Sequence, residues 1–260
     1  MPSLTPVVRA LIITNVVVFL LEWILTARAT AAGGASTFIE RWFALLSSRP
    51  GQIWRLLTFQ FLHAGFWHLA FNMLGLYFLG TALERHWGAR TFLVFYLVCG
   101  LVGGLVFLAA GRFSAFFGGQ LVGASGSVLG LLTAAAVLFP QFVVIIFIFP
   151  VPIRWAVVGF TIWYLLNVLN AGANAGGDLC HLGGMATGLA WVFVRPKAAH
   201  WWHSRRADTW QTRLEDERKL QFEVDRILDK VRENGIRTLS RQEKATLQRA
   251  SELQRRRDAR

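Results

Sequence analysis

Six stretches of this sequence run apolar for the length of a bilayer crossing, or close to it: residues 7–25, 66–83, 91–110, 125–139, 153–169 and 179–194. A membrane helix needs about 20 mostly apolar residues. The composition agrees, with 54% hydrophobic residues in a chain of 260 and a mean hydropathy of +0.44. That is too apolar for a soluble domain of this size. The expected fold class is all-α: a polytopic membrane protein with a six-helix bundle and a small soluble helical tail.

Charge divides the chain. Residues 1–195 hold ten Lys/Arg and four Asp/Glu, whereas residues 196–260 hold seventeen and eleven. We therefore expect a membrane domain over 1–195 and a basic tail over 196–260. The strongest Lys/Arg cluster follows Arg195, so the positive-inside rule puts the C-terminus in the cytoplasm. Six spans put the N-terminus there too. Arg85 and Arg90 agree with this topology; Arg41, Arg49 and Arg55 do not. The run at 7–25 has features of a signal peptide, since Arg9 precedes it and Ala27-Arg28-Ala29 imitates a cleavage site. Its length, with Glu22 and Trp23 near its end, favours a retained helix. The connection over 28–65 is too polar to span, yet it carries Trp42, Phe43, Trp54 and Phe59, which suits a segment lying at the interface. Residues 142–149 are β-branched and bracketed by Pro140, Pro150 and Pro152, which predicts a short strand-like segment. In the tail, Asn234-Gly235 stops one helix and Ser240-x-x-Glu243 is a capping box that starts another.

Polar residues inside spans are costly and by default suggest a functional site. Under the topology above, His68 and Asn72, Ser125 and His181 begin three different helices at one depth near the outer surface. Gly123-Ala124-Ser125-Gly126 leads from a glycine-rich loop into the run at 125–139. A serine at such a junction lies among backbone N–H groups that have no intrahelical partner, a setting that favours a developing oxyanion. Gly126, Gly130 and Ala134 form one small-residue ridge, and Gly184 and Gly188 form another with His181 on nearly the same face. Ridges of this kind let helix backbones approach closely. If the two pack together, His181 reaches Ser125 and can act as general base and then general acid. Asp178 could orient His181, but the spacing at one helix entrance favours a helix N-terminal acid, so a dyad is expected rather than a triad. Cys180 reads as inert packing, His63 as a structural residue bonding a loop carbonyl, and Glu84 as a partner of loop donors. The chain lacks Cys/His zinc spacing and a His-Glu-x-x-His helix, so no metal and no cofactor are expected.

In this order, Gly123-x-Ser125-Gly126, His181-x-x-Gly184-x-x-x-Gly188 and His68-x-x-x-Asn72 resemble the rhomboid intramembrane serine proteases. Trp54-Arg55 and Glu84-Arg85 resemble that family as well, and the likeness covers about residues 4–195. The resemblance implies cleavage of peptide bonds in or near the transmembrane segments of single- or multi-pass membrane proteins. It implies Ser125 as nucleophile and His181 as base. It also implies an oxyanion held by the Ser125 backbone N–H with help from His68 and Asn72. The remaining motif residues would support the site, the aromatic loop would be embedded in the membrane, and the fifth helix is a candidate lateral gate. The expected setting is a bacterial inner membrane, with the lipid bilayer as partner, no nucleic acid, and the site opening toward the outer face. Two rivals are a catalytically silent rhomboid-like protein that binds transmembrane clients and a small transporter with a midplane site. The second predicts internal repeats, and none is evident.

Overall fold

The computed structural model describes residues 3–31, 38–146, 148–235 and 238–258. The chain divides into two compact units, Met1–Arg195 and Pro196–Arg260.

The first unit opens with α1 (Pro6–Ala31) and a loop region holding α2 (Phe38–Phe43), the short strand β1 (Leu45–Leu46), α3 (Arg55–Thr58) and a 3-10 turn (Phe59–Phe61). Residues 32–37 of the long first connection lie outside the described residues. The next span is α4 (Phe66–Gly75), a π-helical segment (Leu76–Gly80) and α5 (Thr81–Trp87) in one run. The sequence suggested an uninterrupted α-helix here; π turns are a local widening often found near functional sites. There follow α6 (Ala89–Phe113), β2 (Gln120–Leu121), α7 (Ser125–Leu138), the hairpin strands β3 (Val143–Ile146) and β4 (Phe149–Pro152), α8 (Ile153–Leu169) and the start of α9 (Ala175–Asn234). The expected strand-like segment is thus half of an antiparallel hairpin, with Val144 opposite Val151.

Among the described residues, three helices are long and apolar enough to cross a membrane by length and composition: Pro6–Ala27, Phe66–Trp87 and Ala89–Phe113. Ser125–Leu138 and Ile153–Leu169 are apolar but shorter. At 1.5 Å per residue α7 is about 21 Å long, short of a hydrocarbon layer of roughly 30 Å. The burial pattern explains how so short a helix fits. Ten of its 14 residues are buried, and a helix that is apolar all round belongs in the middle of a bundle. On α6 the buried residues Phe92, Phe95, Tyr96, Cys99, Gly103 and Phe107 recur at helical spacing, the stripe that faces this core. The opposite property marks α4 and α8. Trp67, Phe71, Trp155, Trp163 and Leu169 are all at least 65% exposed, the surface expected of helices solvated by lipid.

Glu84, at the far end of the second span, holds α1 in place. Its carboxylate accepts from Thr5 Oγ1 at 2.5 Å and from the backbone N–H groups of Val7 and Val8 at 3.0 and 2.9 Å. These are first-turn donors without an intrahelical partner, and a negative charge suits a helix N-terminus. The expected loop donors are therefore the entry to α1. Arg85 adds a bond to the Ser3 carbonyl at 2.7 Å. Glu84→Ala strands these buried donors, so we expect a loss of about 2 kcal/mol, read as a lower Tm in detergent. An unchanged Tm would contradict this anchoring role.

In the second unit, the α9 helix ends at Asn234 and Gly235 follows with φ +80°, the left-handed stop that glycine provides. α10 (Arg241–Asp258) begins at the capping box. The Ser240 N–H donates to Glu243 Oε2 at 2.7 Å, and the Glu243 N–H donates to Ser240 Oγ at 3.2 Å. Ile227 and Leu239 are buried, and Lys230 Nζ reaches Glu243 at 2.8 Å. This is the helical hairpin that the sequence predicts.

Candidate active site

Ser125 is the first residue of α7, and Ala124 precedes it as N-cap. The first intrahelical bond runs from the Val128 N–H to the Ala124 carbonyl, so the N–H groups of Ser125, Gly126 and Ser127 have no acceptor within the helix. The approach is tightly fixed. Gly123 has φ +125°, a conformation that side chains rarely adopt. The Gly123 N–H donates to the Phe59 carbonyl at 2.9 Å, and β2 pairs with β1 through Leu121 and Leu45. The aromatic first loop therefore sets the position of the turn before Ser125.

That loop is itself pinned by its Trp-Arg pair. Arg55 is fully buried. Its guanidinium donates to the carbonyl of Ala44, to the Arg41 carbonyl at 2.7 Å and to Gln52 Oε1 at 2.5 Å. Trp54 Nε1 donates to the Trp42 carbonyl at 3.1 Å. Gln60, which the sequence did not single out, is buried against α6. A Cβ built on Gly100 would lie 2.1 Å from its Oε1.

The two glycine ridges do meet. A Cβ on Gly184 would fall 2.1 Å from the Gly126 carbonyl oxygen, and one on Gly188 would fall 2.4 Å from that of Gly130. Backbone against backbone, α7 and α9 lie too close for any side chain at these positions. This contact brings His181 Nε2 to 2.7 Å from Ser125 Oγ. The imidazole is capped on one side by Tyr164 of α8, with ring centroids 4.7 Å apart. Tyr164 was not evident from the sequence, because one aromatic among the many on a lipid-facing helix carries no signal.

His68 also reaches this place. A Cβ on Gly123 would lie 2.6 Å from His68 Cε1 and 3.6 Å from Ser125 Oγ, so the His68 ring covers the turn next to the serine. Asn72, one helical turn on, is buried, and its Nδ2 donates to the His68 carbonyl at 2.8 Å. An amide nitrogen has two protons, so one remains for another acceptor. His63 lies behind His68, ring centroids 5.2 Å apart. Its ring nitrogens are buried and make no well-formed hydrogen bond among the described residues, though the backbone of Phe61 in the same loop interacts with the ring. Burial, then the neighbouring His68, pushes the His63 imidazole down to about 4. His63 is therefore neutral packing behind His68. Cys180 is buried, its Sγ near Gly126, as expected of an inert neighbour. Asp178 does lie in the first turn of α9, and its Oδ1 is also 3.5 Å from His181 Nδ1, closer than the expected role of a helix N-terminal acid requires.

A serine hydroxyl on an imidazole, beside free helix N-terminal N–H groups, is an arrangement suited to acyl transfer. The comparisons with known proteins agree with the sequence motifs. The family model of the Rhomboid domain matches residues 50–198, and that of a family of unknown function matches residues 214–253 of the tail. The mitochondrial Rhomboid protein 1 of Saccharomyces cerevisiae is 30% identical over 172 residues, 65% of this chain and 49% of that protein. The rhomboid protease GluP of Bacillus subtilis is 45% identical over 84 residues, 32% of this chain and 15% of that protein. The rhomboid protease GlpG of Salmonella choleraesuis is 28% identical over 149 residues, 55% and 49% of the two chains. The chain thus spans about half the length, or less, of these relatives. With the Rhomboid model covering more than half of it and the glycine-packed helices beneath the matched motifs, this chain is an integral membrane protein that belongs to the rhomboid family.

Proposed function

We propose that the protein is an intramembrane serine endopeptidase that cleaves membrane-protein substrates in or next to a transmembrane segment. The observation that carries this reading is the 2.7 Å contact between Ser125 Oγ and His181 Nε2. As Oγ attacks the scissile carbonyl carbon, its proton passes to Nε2. The carbonyl oxygen becomes an oxyanion, held by the Ser125 N–H, Asn72 Nδ2 and the His68 ring. The intermediate then collapses, the peptide C–N bond breaks, and His181 returns the proton to the leaving amine. Water, deprotonated by His181, hydrolyses the Ser125 ester and restores the hydroxyl.

The short α7 supports a site below the membrane surface, which needs a route for water. The polar first turns of three helices give one from the outer face, while substrate enters from lipid beside α8. The basic tail supports cytoplasmic termini, and we place the protein in a bacterial inner membrane. The test is to reconstitute the full chain in liposomes with a tagged single-pass protein. The expected products are two fragments whose new ends map by mass spectrometry within or beside the spanning segment. No fragments from a folded, correctly inserted protein would favour a silent rhomboid-like protein that holds transmembrane clients.

In the same assay Asn72→Ala is expected to lower turnover about a hundredfold, the scale for one oxyanion donor, with KM little changed. Full activity would remove Asn72 from that role.

A further inference from the structure

His181 uses one ring nitrogen on Ser125, and the other is the more informative. Nδ1 is buried and makes no hydrogen bond among the described residues. The acidic oxygen facing it is Asp178 Oδ1, at 3.5 Å and one helical turn back. For Nε2 to accept the serine proton, the neutral ring must carry its own proton on Nδ1. That N–H points into a region where the carboxylate is the acceptor within reach.

Asp178 is not placed there by chance of helix phase alone. Its side chain is only 3% exposed, and a carboxylate so buried needs partners. It has two, from separate segments. Asn167, near the end of α8, donates its Nδ2 to Oδ2, and Asn174, in the turn before α9, donates to Oδ1 at 3.2 Å. The turn that brings them together includes Ala171 at φ +53°, a left-handed conformation that costs a non-glycine residue about 1 kcal/mol or more. Gly172 packs so closely on Asn167 that a Cβ there would fall 2.1 Å from its Oδ1. Two amides fix it in one orientation, with an edge turned to the imidazole.

We propose that Asp178, clamped by Asn167 and Asn174, is a positioning residue that holds His181 in the tautomer and orientation needed to accept the Ser125 proton. The site is then a Ser125–His181–Asp178 relay of positions, with its third member on the same helix as the base. The 3.5 Å separation shortens to a hydrogen bond as the imidazole becomes an imidazolium during attack, since such bonds tighten on the way to the transition state. The proposal rests on the Ser125–His181 reading above.

The test uses the purified full-length protein in detergent and a fluorescent fluorophosphonate, which phosphonylates an activated serine with loss of fluoride and needs no substrate. Two quantities are read: the final stoichiometry, which counts intact sites, and the rate constant, which reports activation of the serine. For Asp178→Asn we expect wild-type stoichiometry with a rate constant about tenfold to a hundredfold lower. That is less than the roughly ten-thousandfold loss where the acid is tightly bonded. Asn167→Ala keeps the carboxylate but frees one of its oxygens, so a smaller loss of the same kind is expected, and it decides the matter if Asp178→Asn does not fold. A reduced stoichiometry with surviving sites reacting at the wild-type rate would make Asp178 purely structural and overturn the proposal. So would unchanged rate constants in both variants. If the wild type itself does not react, the Ser125–His181 reading fails first, and this one with it.

Discussion

His181→Ala is expected to abolish cleavage of a reconstituted transmembrane substrate, by about ten-thousandfold or more. The reason is specific to the geometry. Among the described residues, the base hydrogen-bonded to Ser125 Oγ is His181, at 2.7 Å, and removing either member of such a pair costs nearly as much as removing the whole apparatus. His68 cannot replace it. Its ring lies over Gly123, on the side assigned here to the oxyanion, and His63 behind it is pushed down to about 4 by burial and by His68. The measurement is initial rate of fragment formation at equal folded protein. Near-wild-type turnover in His181→Ala would place the general base elsewhere.

The second large effect is expected far from any reacting atom, at Gly184. An added Cβ would lie 2.1 Å from the Gly126 carbonyl oxygen, and backbone cannot turn aside as a flexible side chain can. For Gly184→Ala, α9 must move from α7 by about an ångström. Overpacking of this kind costs about 1–3 kcal/mol, and a displacement of that size at a reacting pair costs about a hundredfold in rate. Both should appear together, as a lower Tm and a hundredfold lower turnover with the dyad chemically intact. Gly184→Ala with normal rate and stability would mean that the two ridges are not in contact.

Much of this arrangement was legible in the sequence because it is written in local, periodic features. Apolar runs marked the spans, and glycines at fourfold spacing marked the faces of α7 and α9 that touch, so Ser125 and His181 could be paired before any coordinates. The tail hairpin was legible for the same reason, from Gly235 and the Ser240–Glu243 box. What escaped depends on contacts between elements that no period announces. Tyr164 packs its ring, tilted, against His181 from a different helix. Gln60 inserts beside Gly100 from a loop. Glu84 caps a helix 76–79 residues away. Asp178 was seen, but its partners Asn167 and Asn174 are brought round it by a turn through a left-handed Ala171. The π segment in the second span is a similar case, whereas of the β3–β4 hairpin the β-branched residues and prolines announced a strand-like segment but not the pairing.

The account stands or falls on whether Ser125 is an activated nucleophile. The most direct measurement is fluorophosphonate labelling of the purified protein, with the modified residue mapped by peptide mass spectrometry beside Ser125→Ala and His181→Ala. The account predicts one phosphonylated residue, Ser125, in the wild type and no labelling in either variant. A folded wild-type protein that stays unlabelled, or that is labelled at another residue, would contradict it.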